Sequence, residues 1–295
     1  MSTSEAQIIT ASHARVAALD VRRTLPTRTR RSIGAWCFAD HLGPVSLAPG
    51  ESADVAPHPH IGLQTVTWLF DGAFLHRDSL GSEQLIRPGQ LNLMSAGNGV
   101  VHAEEDPGQP DGRLHGIQLW VAQPEQTRWG PSAFEHLADV PQCELNAGVA
   151  TVLLGSLENT ASPARRDSDL MGAELQLRAG TSLLRADPRY EYGVIAITGA
   201  TDVAGVTLTP GSMAYLAPGR EALALATSET STVMLIGGVP LETPLVMWWN
   251  FVARTREEIV DAYRAWASRD ERFARVASRF APIDVDPPAW LARES

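Results

Sequence analysis

The sequence predicts an all-β protein of two similar antiparallel domains, sandwiches or barrels, closed by a helical element at the C-terminus. Three observations lead there. Between about residue 30 and residue 240, short β-branched or apolar runs alternate with Gly, Pro and Asp, as in Thr65-Val66-Thr67-Trp68-Leu69-Phe70 before Asp71-Gly72. That layout marks antiparallel strands joined by tight turns. A weak internal repeat pairs PGQLNLMSAGNGVVHAE, from Pro88, with PGSMAYLAPGREALALA, from Pro210, as expected of two copies of one unit. Beyond residue 240 the period changes: Thr255-Arg256-Glu257-Glu258 has the form of a capping box, and Ile259, Tyr263 and Trp266 recur at helical spacing.

Element by element, residues 1–140 form the first domain. Arg87-Pro88-Gly89 and Pro107-Gly108 mark turns in it, and Ile117-Gln118-Leu119-Trp120-Val121 reads as a strand. Residues 141–295 form the second, with the helix over 255 to about 278. The repeat register sets Ala224 and Ala226 opposite His102 and Glu104, and no histidine follows His136. The second copy is therefore expected to keep the fold and lack any histidine site.

Composition narrows the function. A chain of 295 residues that is 44% hydrophobic can fill substantial cores. The formal charge of -10 opposes a phosphate backbone, so direct nucleic-acid binding is not expected. The arginines at 22, 23, 28, 30 and 31 read as a short solvated cluster. No apolar stretch approaches the roughly 18 residues of a membrane span, and the N-terminus lacks the layout of a signal peptide; a cytoplasmic location is the expectation. Cys37 and Cys143 stand alone, outside any thiolate-metal spacing.

The chemistry concentrates in two short motifs. In Pro57-His58-Pro59-His60 the histidines are two apart, so on a strand they point to one face, about 7 Å apart along the backbone. Pro59 removes a backbone donor and favours an edge or a strand start. His102-Ala103-Glu104 repeats the spacing after a glycine-rich turn. If the two strands face each other, His58, His60, His102 and Glu104 converge on one divalent cation. Three imidazoles and a carboxylate suit iron, manganese, nickel, zinc or copper better than calcium or magnesium. Elsewhere, His76 reads as a hydrogen-bonded strand or turn histidine. His115 and Gln118 fall on opposite faces of one strand, so at most one of them faces the interior. His41 and His136 read as structural or surface residues, and Trp248-Trp249 as packing.

The segments His58-Pro-His-Ile-Gly-Leu-Gln-Thr-Val-Thr-Trp, Phe74-Leu-His-Arg-Asp-Ser-Leu-Gly, Ser95-Ala-Gly-Asn-Gly-Val-Val-His-Ala-Glu and Leu114-His-Gly-Ile-Gln-Leu-Trp-Val, in that order, resemble the pirin branch of the cupin superfamily. The resemblance implies a bicupin, two jelly-roll-like barrels side by side. It also implies iron or a similar metal held in the first barrel by residues matching His58, His60, His102 and Glu104. For function it implies either quercetin 2,3-dioxygenase chemistry on a small aromatic substrate or regulatory binding of a protein partner. The chain departs from the family pattern at Ile61, Leu63, Gln64 and Trp68, where Arg, Phe, Glu and Tyr are usual. A neutral amide at Gln64 cannot act as a base, which weakens the expectation of flavonol cleavage.

Overall fold

The protein is described by a computed structural model at residues 5–17, 19–48, 51–108 and 112–291. The two-barrel expectation holds. In the first barrel a seven-stranded sheet runs, in spatial order, Ala133–Leu137, Leu91–Ser95, Leu63–Asp71, Arg113–Ala122, Trp36–Ser46, Leu19–Leu25 and Ser12–Val16. A four-stranded sheet of Val55–His60, Val100–Glu105, Phe74–Asp78 and Glu83–Ile86 faces it. The second barrel repeats the plan. Its seven-stranded sheet centres on Glu191–Thr198, Ser231–Gly238 and Leu170–Leu177, and its four-stranded sheet on Gly180–Arg185 and Ala222–Thr227.

Period-2 alternation sorts these strands between two cores. Leu175, Val194, Leu223, Leu225 and Leu235 belong to the apolar core of the second barrel. Here the repeat register needs correction. Ala224 is exposed and Ala226 only half-buried, whereas Leu223 and Leu225 point inward. A slip of one residue turns a strand's faces over, so the leucines, not the alanines, stand where the first barrel has its histidine and glutamate. The second barrel is packed with hydrocarbon.

The two seven-stranded sheets join back to back through a cluster containing Trp36, Val66, Trp68 and Leu119 from one barrel and Leu153, Ile195, Met234 and Ile236 from the other. Trp36 Nε1 donates to the carbonyls of Met171 (3.1 Å) and Gly237 (3.2 Å), and Trp68 Nε1 donates to Glu174 Oε2 (3.0 Å). Truncating such buried indoles to Ala typically costs about 3–5 kcal/mol. Gly172 leaves the room that Trp36 occupies, since a Cβ there would lie 2.7 Å from the indole Cζ2.

The chain ends cross over. Gln7–Thr10 pairs antiparallel with Ser212–Leu216 at the edge of the second barrel. At the other end, Phe251, Ile259, Ala262, Trp266 and Phe273 cover Ile61 and Val101 of the first. The helix spans Arg256–Ala267 with Thr255 as N-cap, its Oγ1 accepting from Glu258 N. The Glu258 carboxylate does not return to the cap residue: it accepts from Arg254 N and from both terminal nitrogens of Arg128 in the first barrel. The helix stops eleven residues short of the expected 278. Arg269 takes a left-handed φ of 58, and the bonds Asp270 N to Ala265 O and Arg269 N to Trp266 O complete a Schellman stop without glycine. Among the described residues, no helix is long and apolar enough to cross a membrane.

Candidate metal centre

Three neighbouring strands of the first barrel's four-stranded sheet each contribute an i, i+2 pair. In the antiparallel register, His102 lies opposite His58 on one side and Asp78 on the other, and Glu104 lies opposite His76. The expected pairs His58/His60 and His102/Glu104 are thus joined by a third, His76/Asp78. The spacing rule applied to the first two pairs also finds the third. His76 taken alone does not reveal the pair; it shows only beside Asp78.

His58, His60 and His102 are buried, and one nitrogen of each ring lies within 4.8 Å of the others. His58 Nδ1 donates to the Ala56 carbonyl (2.8 Å) and His60 Nδ1 to the Asn250 carbonyl (3.1 Å). A carbonyl has no proton to give, so both rings keep Nε2 bare. His60 Nε2 stands 3.1 Å from His102 Nε2. Burial drives all three away from the charged form, His58 to about 4 and the other two well below the usual value. His60 Nε2 accepts whatever stands at that distance, a proton on His102 Nε2 or a cation shared by the three rings. The donor set fits a transition metal.

The Glu104 carboxylate lies outside this cluster of three. It lines the same cavity, and burial raises its pKa, opposed by His76 and by Thr67. Thr67 Oγ1 lies 2.9 Å from Gln118 Oε1 and 3.4 Å from Glu104 Oε1. The cavity holds about 600 Å³. On one wall Phe38 stacks on Trp120 (4.0 Å, 13°), with the Arg23 guanidinium 4.5 Å above Phe38 and bonded to Asp40 by two hydrogen bonds of 2.7 Å. The returning C-terminal segment adds Trp249, Asn250 and Ile283. Trp249 has a φ of 51, a costly conformation for a bulky residue, immediately before the carbonyl that receives His60.

The other candidates sort by strand face. Gln118 lines the cavity, while His115 turns outward, its Nε2 2.8 Å from His41 Nε2. His41 is buried rather than a surface residue, and His136 bonds Asn92. The basic cluster is partly engaged: Arg30 lies over the Tyr215 ring and pairs with Glu191. Burial pushes the Cys37 thiol up to about 12, which leaves it inert as a nucleophile at neutral pH.

Gln64 requires a correction. It is four residues past His60, but Gly62, at a φ of 66, ends one strand and starts the next. Gln64 and the cavity-facing Thr67 are an odd number of residues apart and take opposite faces. Its amide donates instead to Ser95 Oγ (2.8 Å), buried. An acid at this position would point away from the histidines, so the amide removes nothing from the centre.

Comparison with known proteins bears on the same residues. Residues 18–121 match the Pirin family profile, and residues 172–274 match the Pirin C-terminal cupin domain. A relative from Pseudomonas aeruginosa named "Putative quercetin 2,3-dioxygenase" is 44% identical over 92% of this chain and 87% of its own length. The crystal structure of a quercetin 2,3-dioxygenase from Acinetobacter baumannii superposes with a TM-score of 0.92 at 39% identity, covering 96% of each chain. A bacterial pirin from Escherichia coli, solved in complex with nickel(II), shares the fold at 18% identity, with a TM-score of 0.66 over 80% of this chain and 100% of its own.

Proposed function

The chain belongs to the pirin family, and from that premise we propose that it is a metal-dependent oxidoreductase of the quercetin 2,3-dioxygenase type. Its substrate is a flavonol or a similar enolisable aromatic, and dioxygen is the second reactant. The convergence of three neutral imidazoles beside Glu104, at the bottom of an aromatic-walled cavity, carries this reading. His58, His60, His102 and Glu104 would hold one first-row ion, iron before nickel, manganese, zinc or copper. When bound, such an ion supplies Lewis acidity toward substrate oxygens.

The remaining contributions come from the protein's own groups. Phe38 and Trp120 form a stacked aromatic wall, Thr67 lies within reach of both Gln118 and the Glu104 carboxylate, and Trp249 and Ile283 add to the lining. A regulatory, partner-binding role drew support from Gln64 and from a second barrel without a histidine site; Gln64 faces away from the centre, which leaves only the second barrel in its favour. Oxygen uptake measured on iron-, nickel- and manganese-loaded protein with a panel of flavonols is expected to show turnover with at least one pair. Absence of uptake in every combination, with metal bound, would overturn the proposal.

A further inference from the structure

We propose that Asp78 and His76 are positioning residues that fix the proton of His102 on Nδ1, so that its Nε2 faces the metal position bare. The inference deepens the metal-centre reading and rests on it. His58 and His60 are each oriented by a backbone carbonyl. Among the described residues, His102 has no carbonyl in that role. Its Nδ1 lies 3.4 Å from His76 Nδ1, and His76 Nε2 lies 3.0 Å from Asp78 Oδ2.

The proton positions follow from one anchored end. Asp78 Oδ1 accepts from the amides of Leu80 (2.9 Å) and Ser82 (3.0 Å), which holds the carboxylate in place on its turn. A carboxylate only accepts, so the hydrogen between Asp78 and His76 belongs to His76 Nε2. With a single proton on the His76 ring, its Nδ1 is bare, and the hydrogen between the two imidazoles belongs to His102. That leaves His102 Nε2 as a lone pair beside His60 Nε2, the form a metal requires. Phe134 stacks on the His76 ring (4.4 Å, 14°) and fixes its plane. His76, Asp78 and His102 are all at most 3% exposed, so water cannot substitute for a missing member.

The test uses the full-length apo-protein labelled with ¹⁵N-histidine. Long-range ¹H–¹⁵N NMR is expected to show His102 protonated at Nδ1. Asp78→Asn keeps the shape but presents an amide N–H₂ to His76 Nε2, which should reverse both rings and move the His102 proton to Nε2. In nickel(II) titrations His76→Phe, which preserves the stack on Phe134, should weaken binding about 10–100-fold. His76→Gln can accept from His102 and donate to Asp78, and should recover most of that loss; a purely structural role predicts no such recovery. A wild-type His102 protonated at Nε2, or His76→Phe binding nickel within about twofold of wild type, would overturn the proposal. Wild-type protein that binds no metal while showing the expected tautomer would instead overturn the metal-centre reading.

Discussion

His41 is 2% exposed, and among the described residues its Nδ1 has no hydrogen-bond partner. Burial, then the Arg22 guanidinium, then His115 push its pKa down to about 3 from 6.5. Above pH 6.5 it is neutral whether the chain is folded or not. Between about 6.5 and 3 only the unfolded chain takes up the proton, so this contribution to stability is lost as the pH falls through that window. At pH 5 the loss amounts to about 2 kcal/mol. His41→Gln should therefore lose about 2 kcal/mol less than wild type between pH 7 and pH 5 in urea denaturation, and equal pH sensitivity would contradict the assignment. The same scale shows what could be read in advance. His58, His60 and His102 were legible because i, i+2 spacing means one face on any strand. Gln64 was given a role at the centre by its place in the family pattern, and that place does not tell which face a residue takes beyond the Gly62 turn. The role of the Asn250 carbonyl could not be read, since every residue has one and only the fold brings this one to His60.

The C-terminal helix was legible at its start and not at its end. Thr255 signals a cap through its side chain, whereas the stop depends on Arg269 accepting a left-handed backbone that glycine would have advertised. Thr255→Ala should lower the unfolding free energy by about 1 kcal/mol in denaturant titrations, and no change would mean that tertiary contacts alone hold the first turn. The helix also ties the centre to the chain end. Its Glu258 grips Arg128 of the first barrel, and the residues just before it deliver Trp249 and Asn250 to the cavity.

Across the whole molecule, the internal repeat announced two barrels, yet it could not say which strand faces would meet between them. Apolar residues line both faces of the seven-stranded sheets, and composition does not separate the barrel interior from the interface. Gly172 marks the difference, because it is empty space shaped to an indole. Gly172→Ala should cost about 1–3 kcal/mol and lower the melting temperature, a crowding that a smaller ring at Trp36 would partly relieve. The crossed termini have a broader consequence. A chain laced at both ends cannot be halved near residue 140 without unmaking two structures at once: the second half loses its edge strand, and the first loses the cover over Ile61 and Val101 together with the carbonyl that steadies His60. Neither barrel is complete without a segment drawn from the other half of the sequence.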